Sequence, residues 1–355
     1  MSASYTGIGW NRQKRIYDAV MIASIVIFLG AFYGLGRVLF RPPHDATDET
    51  LLIRGLGSCA IIMLHIVLWI GPLARLQPRL APLLYNRRHL GVGTFVLGLC
   101  HAAFATVQFH GFGNVNPLVS LLTSNTQYGS LARFPFEVLG LAALLILFLM
   151  AATSHDFWNR NLTPRFWKSL HMCVYGAYAL LVAHVSLGTL QQERSPLILA
   201  TVGVSVAVTI GLHLAGARRE ARTDRGSEPA AGDSGPWIDA GPAADLPMDR
   251  ARIVCARGGE RIAVFRHAGG VSAVSNVCRH QGGPLGEGKI VDGCVTCPWH
   301  GWQYRPGDGC SPPPFKERVE TYRVRIVAGR VRVNPTALAP GTPVEPAVIE
   351  EGARV

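Results

Sequence analysis

Cys278-Arg279-His280 and, after sixteen intervening residues, Cys297-Pro298-Trp299-His300 carry the strongest chemistry in the chain. Each group offers one thiolate and one imidazole within a tight turn. Thiolates neutralise ferric iron. Imidazoles in place of two of four thiolates remove negative charge and raise the reduction potential of a [2Fe–2S] centre. A Cys2His2 zinc site is the competing reading, but zinc fingers usually pair cysteine with cysteine and histidine with histidine. The mixed pairs, with one residue between Cys278 and His280, favour iron and sulfur. Cys255, Cys294 and Cys310 read as packed thiols, and Cys59, Cys100 and Cys173 lie singly in apolar runs, where cysteine acts as a small hydrophobe.

A second set of candidates lies in those apolar runs: His65, His101, His171 and His184. Ionisable side chains at membrane depth are expensive and point to function. His171 and His184 are 13 residues apart, roughly 20 Å along a helix and so near opposite membrane surfaces. His101 and His184 fall at similar heights in their runs. Two imidazoles facing across a bundle at one height can hold a haem iron from both sides.

The elements that must position these residues follow from composition. The chain has 355 residues, 49% hydrophobic and 16% charged, with mean hydropathy +0.24. Soluble domains carry about a quarter charged residues, so a wholly soluble or disordered chain is excluded. Six apolar runs, Ile16–Phe40, Leu51–Leu73, Leu90–Phe109, Phe134–Ala152, Phe166–Leu187 and Pro196–Ala215, approach the roughly 20 residues that cross a bilayer. The first is too long for a signal peptide and reads as a retained helix. One set of flanks holds 14 Lys and Arg, the other 5. The richer set, which includes both termini, is therefore expected on the cytoplasmic side. The net charge of +11 concentrates there, since residues 237–355 hold 15 basic and 12 acidic residues. Nucleic-acid binding is not expected.

Past Ala215 the pattern changes. Residues 217–236 read as a flexible linker, and 237–335 as short strands and turns. Ala328-Gly329 marks one hairpin, and Gly269-Gly270 another. Residues 336–355, rich in Pro and Ala, read as a disordered tail. No repeat of solenoid period is found. The expected fold is multi-domain: an all-α six-helix transmembrane bundle over residues 1–216 and a small all-β domain.

The CxH…CPxHG pattern between hairpins, with Pro312-Pro313-Pro314 downstream, resembles the Rieske family. The resemblance implies that Cys278 and Cys297 bind one iron, and His280 and His300 the other. Respiratory members add a cysteine in each loop and a serine donor to the cluster; here Gly283, Trp299 and Trp302 stand in those places, while Tyr304 matches the family tyrosine. Fewer donors imply a lower-potential, ferredoxin-type centre.

Asn86-Arg87-Arg88-His89-Leu90-Gly91 leading to His101, Phe134-Pro135-Phe136 through Thr153-Ser154, and Trp167-Lys168-Ser169-Leu170-His171 leading to His184 resemble the ferric-reductase-like transmembrane family. That resemblance implies one or two b haems: an outer one on His101 and His184, and an inner one on His171. Two-haem members place the second inner ligand 14 residues before His101, where this chain has Arg87; His65 is taken as the substitute, ahead of His89, His213 and Arg87 itself. Together the two resemblances imply a protein of a bacterial-type inner membrane. Electrons would come from a cytoplasmic reductase or ferredoxin and leave to a quinone or a periplasmic acceptor. The alternative is a membrane-anchored Rieske ferredoxin, held by its helices and serving an oxygenase, without haem.

Overall fold

The computed structural model describes residues 12–39, 47–155, 158, 162, 164–193, 196–225, 235–257, 259–280, 282–299 and 301–349. His300 lies outside them. The chain divides into two compact units. One joins Arg12–Trp69 to Arg87–Gly211; the other joins Ile70–Asn86 to the chain from Leu212 onward.

The first unit is helical. Its elements are α1 (Arg12–Leu39), α2 (Asp48–Leu76, whose last turns belong to the other unit), α3 (Arg87–His110), α4 (Pro117–Thr123), α5 (Phe136–Ala152), α6 (Pro164–Met172), α7 (Val174–Gly188) and the start of α8 (Pro196–Arg225). Thr47 caps α2 through the Thr50 amide, and Asp48 and Glu49 complement the helix dipole in its first turn. The packing residues are small or branched. Ala143 of α5 and Ala177 of α7 are fully buried against each other's helices, and Leu64 and Leu68 of α2 pack on Val174 and Tyr178 of α7.

Against the six expected spans, five helical stretches among the described residues are long and apolar enough to cross a membrane. The expected fourth span forms α5, which has 17 residues. At about 1.5 Å per residue it falls short of a hydrocarbon core of about 30 Å. The expected fifth span is among the five, as Phe166–Gln191, with a break in the helix at Cys173 between α6 and α7.

The second unit is mostly β. Sheet one has the order β1 (Ile238–Pro242), β10 (Arg330–Val333), β9 (Val324–Val327). Sheet two runs β2 (Ala251–Cys255), β3 (Arg261–His267), β4 (Gly270–Ser275), β8 (Thr321–Tyr322). Sheet three runs β5 (Lys289–Val291), β6 (Cys294–Thr296), β7 (Gln303–Tyr304). Strand β3 is buried on both faces. Ile262 and Val264 enter the core shared with β1 and β10, while Ala263 and Phe265 enter a second core with Val295, Cys278 and Cys297. That alternation is the period of two that pleating imposes. The β9–β10 turn is Ala328-Gly329, as its sequence suggests, and both residues have positive φ (48° and 72°), as a two-residue type I′ turn demands.

Two boundaries differ from expectation. Helix α8 continues to Arg225, so the first part of the anticipated linker is helical. Glu220 and Asp224 on that extension both pair with Arg261 of β3, and Arg75 of α2 pairs with Glu287 at 3.4 Å. The remaining linker residues 226–234 lie outside the described residues. The anticipated tail is also structured as far as 349. Leu338 N donates to Thr321 O at 3.0 Å, Val344 N to Gly307 O at 2.7 Å, and Ala347 N to Val271 O at 2.8 Å. Ala347 and Ile349 pack on the first core. Proline removes amide donors without preventing an extended strap that bonds at intervals.

Candidate metal centres

Two turns of matching construction hold the cysteines. Cys278 O accepts from Gly282 N at 2.7 Å, and Cys278 N donates to Gly283 O at 2.9 Å. Nineteen residues later, Cys297 O accepts from Gly301 N at 2.9 Å, and Cys297 N donates to Trp302 O at 2.7 Å. Gly282 and Gly301 share φ of +72°, a region that side chains with a Cβ avoid. Both sulfurs sit in residues 1% exposed. A Cβ on Gly283 would come within 2.7 Å of Cys297 Sγ, so the loop approaches the sulfur as closely as a bare backbone allows.

The neighbours suit a sulfur-rich centre. Tyr304 OH accepts from Arg279 N at 3.0 Å and lies 3.3 Å from Cys278 Sγ. A thiolate at Cys278 could only accept, and would then take the Tyr304 proton. Burial, then the nearby Cys278, pushes the Tyr304 phenol well above its ordinary value, so it stays a donor. His280 stacks on Trp302 with ring centres 4.2 Å apart and planes within 5°. Trp302 Nε1 donates to Ser311 Oγ at 3.0 Å and its ring touches Phe315, just past the proline run. The residue that stands in place of the respiratory serine therefore braces the His280 ring. None of the eight cysteines is in a disulfide in this structure. Burial raises the Cys294 and Cys255 thiols, as packed cysteines should be. With two buried sulfurs, a phenol donor and a braced imidazole, the described residues fit a [2Fe–2S] group.

In the membrane unit His101 and His184 meet. Their ring centres are 6.3 Å apart and their planes cross at 81°. A metal–imidazole bond is about 2.0–2.1 Å, so an ion between two facing imidazoles sets the ring centres roughly 6 Å apart. Each Nδ1 is bonded to a helix carbonyl: His101 to Ile53 O at 2.9 Å, His184 to Phe136 O at 2.8 Å. A carbonyl only accepts, so Nδ1 carries the proton and Nε2 keeps its lone pair, the state a metal ligand needs. These residues fit an iron held between two histidines.

Both bonds span 48 residues. The coincidence reflects a repeat. At an offset of 83 residues, Leu56, Gly57, Ala60, Leu64, Gly93, Leu97 and His101 recur as Leu139, Gly140, Ala143, Leu147, Gly176, Leu180 and His184. This repeat of one helix hairpin is legible in the sequence, but only at a period longer than solenoid units.

His171 stacks on Trp167 at 3.9 Å, and Trp167 Nε1 donates to Thr153 O at 3.2 Å. His65 lies elsewhere. Its Nδ1 bonds Ile61 O at 2.7 Å and its Nε2 meets Tyr178 OH at 3.0 Å; Tyr178 and Trp69 in turn reach Thr209 Oγ1. Both ring nitrogens of His65 are thus engaged in protein hydrogen bonds in this structure. No hydrogen bond or ring contact among the described residues joins it to His171. Asp18, which the sequence reading passed over, holds His89 Nδ1 at 2.9 Å.

A helical membrane unit with paired histidines, followed by a β unit with matched cysteine turns, defines a redox membrane protein. Comparison with known proteins fits that class. The ferric reductase like transmembrane component matches residues 55–182, and the Rieske [2Fe-2S] domain matches 236–323. The protein-methionine-sulfoxide reductase heme-binding subunit MsrQ of Caulobacter vibrioides is 31% identical over 201 residues, which cover 55% of this chain and 89% of that protein. The anthranilate 1,2-dioxygenase ferredoxin subunit of Burkholderia cepacia is 40% identical over 78 residues, 22% of this chain and 72% of that protein. The cholesterol 7-desaturase nvd of Xenopus laevis is 42% identical over 71 residues, 19% of this chain, and the chain spans only 16% of its length. The chain belongs to the ferric-reductase-like transmembrane family, with a Rieske [2Fe-2S] domain joined at its C-terminal side.

Proposed function

We propose that this protein is a membrane electron conduit between a donor that docks at the Rieske domain and an acceptor in or across the membrane. The observation that carries the reading is the facing pair His101 and His184, backed by matching carbonyls, in a chain that also holds the matched Cys278 and Cys297 turns. Cys278, His280, Cys297 and His300 would hold a [2Fe–2S] cluster, and His101 and His184 one b haem, as the heme-binding name of the MsrQ relatives suggests. When bound, both groups exchange single electrons.

The residues set the conditions for that exchange. Ile53 and Phe136 carbonyls orient the two imidazoles, and the bonds raise their basicity. Tyr304 donates toward Cys278, while Gly283 and Trp302 bring no further side-chain donor to the sulfurs. We infer from this a ferredoxin-type potential. The 83-residue offset carries His171 onto Arg88, not onto a histidine, which supports one symmetric haem site rather than two. The Rieske domain is assigned to the cytoplasmic side. The support is Arg75, Glu220 and Asp224, its ion-pair partners, which stand at the Lys- and Arg-rich ends of α2 and α8.

The test is a redox titration of the purified full-length protein, followed by optical and EPR spectroscopy. The expected result is a low-spin haem b spectrum together with a Rieske-type EPR signal, and the order of the midpoint potentials gives the direction of flow. Folded protein with zinc at the cysteine turns, or with no iron, overturns the proposal. The likeness to the dioxygenase ferredoxin favours a second reading, an anchored ferredoxin for an oxygenase. A cluster signal with no haem spectrum would select it.

A further inference from the structure

A helix carbonyl accepts the amide four residues ahead, and the side chain of that later residue leans back over it, because helical Cα–Cβ bonds tilt toward the N-terminus. A donor from another helix reaches the same oxygen easily only where that covering side chain is missing. Both carbonyls that hold the paired histidines meet this condition. Ile53 lies four residues before Gly57 on α2, and Phe136 lies four before Gly140 on α5. A Cβ built on Gly57 would stand 2.9 Å from His101 Nδ1 and 3.0 Å from its Cε1. On Gly140 it would stand 2.9 Å from both Nδ1 and Cε1 of His184. Glycine is not required by crowding throughout these helices, since Gly91 of α3 and Gly176 of α7 have nothing within 4 Å.

We propose that Gly57 and Gly140 are positioning residues, each uncovering one backbone carbonyl so that it can take the Nδ1 proton of a haem-binding histidine. The proposal rests on the haem reading above. It explains why the repeat keeps three things together: a carbonyl, a glycine four residues on, and a histidine 48 residues from the carbonyl. A hydrogen bond to a metal-bound imidazole makes it a stronger donor and favours the more highly charged metal. Covering either carbonyl would turn the ring away, weaken haem retention and raise the haem midpoint potential.

The experiment compares wild type, Gly57→Ala and Gly140→Ala, with Gly91→Ala and Gly176→Ala as controls, all as full-length protein. Haem per protein after extended washing, haem midpoint potential and the EPR g-values are read. Alanine is the better helix former, so helix propensity alone predicts no loss. The expected result is about 10- to 100-fold weaker haem retention in each of the two variants, the range usual for partners of metal ligands. Any haem retained should have a higher midpoint potential and altered g-values, while both controls match wild type. Unchanged retention, potential and g-values in Gly57→Ala and Gly140→Ala overturn the proposal, and so do controls that shift equally. A second measurement uses haem-free wild type with 15N-labelled histidine, assigned through His101→Gln and His184→Gln. Slowly exchanging Nδ1 protons at both residues are expected. Protons on Nε2 instead overturn the proposal, even if the variants fail to fold. Wild type that binds no haem counts against the haem reading, and the 15N result still decides the role of the glycines.

Discussion

In the Rieske domain a cysteine is placed by the five residues that follow it; in the membrane domain a histidine is held by a carbonyl 48 residues away. Both regions use a doubled motif and both depend on glycine, yet glycine does different work in each. Gly282 and Gly301 supply a left-handed backbone conformation at φ +72°. Gly57 and Gly140 sit in regular helix and supply only the space of a missing Cβ. Local turns make a site whose precision is set by chain conformation. Packed helices make a site whose precision is set by close approach.

The sharpest way to break this comparison is to remove one ligand from each side. His101→Ala or His184→Ala is expected to abolish the haem spectrum and leave the cluster EPR signal intact, while Cys278→Ser does the reverse. Loss of both signals from either change would mean that the two regions do not assemble their centres independently. Next in size, Gly282→Ala and Gly301→Ala each force a Cβ into the left-handed region, at about 1–2 kcal/mol. Thermal melting of the Rieske domain should fall, with cluster loss following unfolding and the haem spectrum unaffected. A melting curve identical to wild type would remove the conformational role assigned to these turns.

The smallest effect is a pH dependence confined to the β unit. Burial lowers the pKa of His267 below its ordinary 6.5, with Asp249 opposing, and its Nε2 meets Ser272 Oγ at 2.9 Å. The unfolded chain therefore takes up this proton first on acidification. The stability that the neutral ring contributes is complete above 6.5 and is lost as pH falls through the lowered folded value. Melting temperature should drop on acidification from pH 7, and His267→Gln should flatten the drop. An unaltered slope in that variant would assign the dependence to other groups.

Much of this was legible in the sequence for the same reason that separates the two regions. Cys278, His280, Cys297 and His300 stand out in the sequence as candidate ligands because their spacing is local, and the hairpins around them are legible for the same reason. His101 and His184 were legible as membrane histidines, but not what holds them, because backbone carbonyls of Ile53 and Phe136 leave no residue-type signature. Gly57 and Gly140 were readable only through the 83-residue repeat. The role of His65 is not legible, because a histidine in an apolar run looks the same in sequence whether it awaits a metal or bonds Tyr178. The residues 336–349 misled because their proline content hides bonds that fall between prolines.

That last segment bears on where the β unit can be cut. The Rieske match ends at residue 323, before β9 and β10 begin. Excision there would leave β1 with no partner strand, since its sheet is β1-β10-β9, and would strip Val271, Gly307 and Thr321 of their bonds to the terminal segment. A fragment of the β unit therefore needs the chain to residue 349 to keep these contacts, and one ending at 323 would open to water the core that Val331 and Val333 share with Ile238.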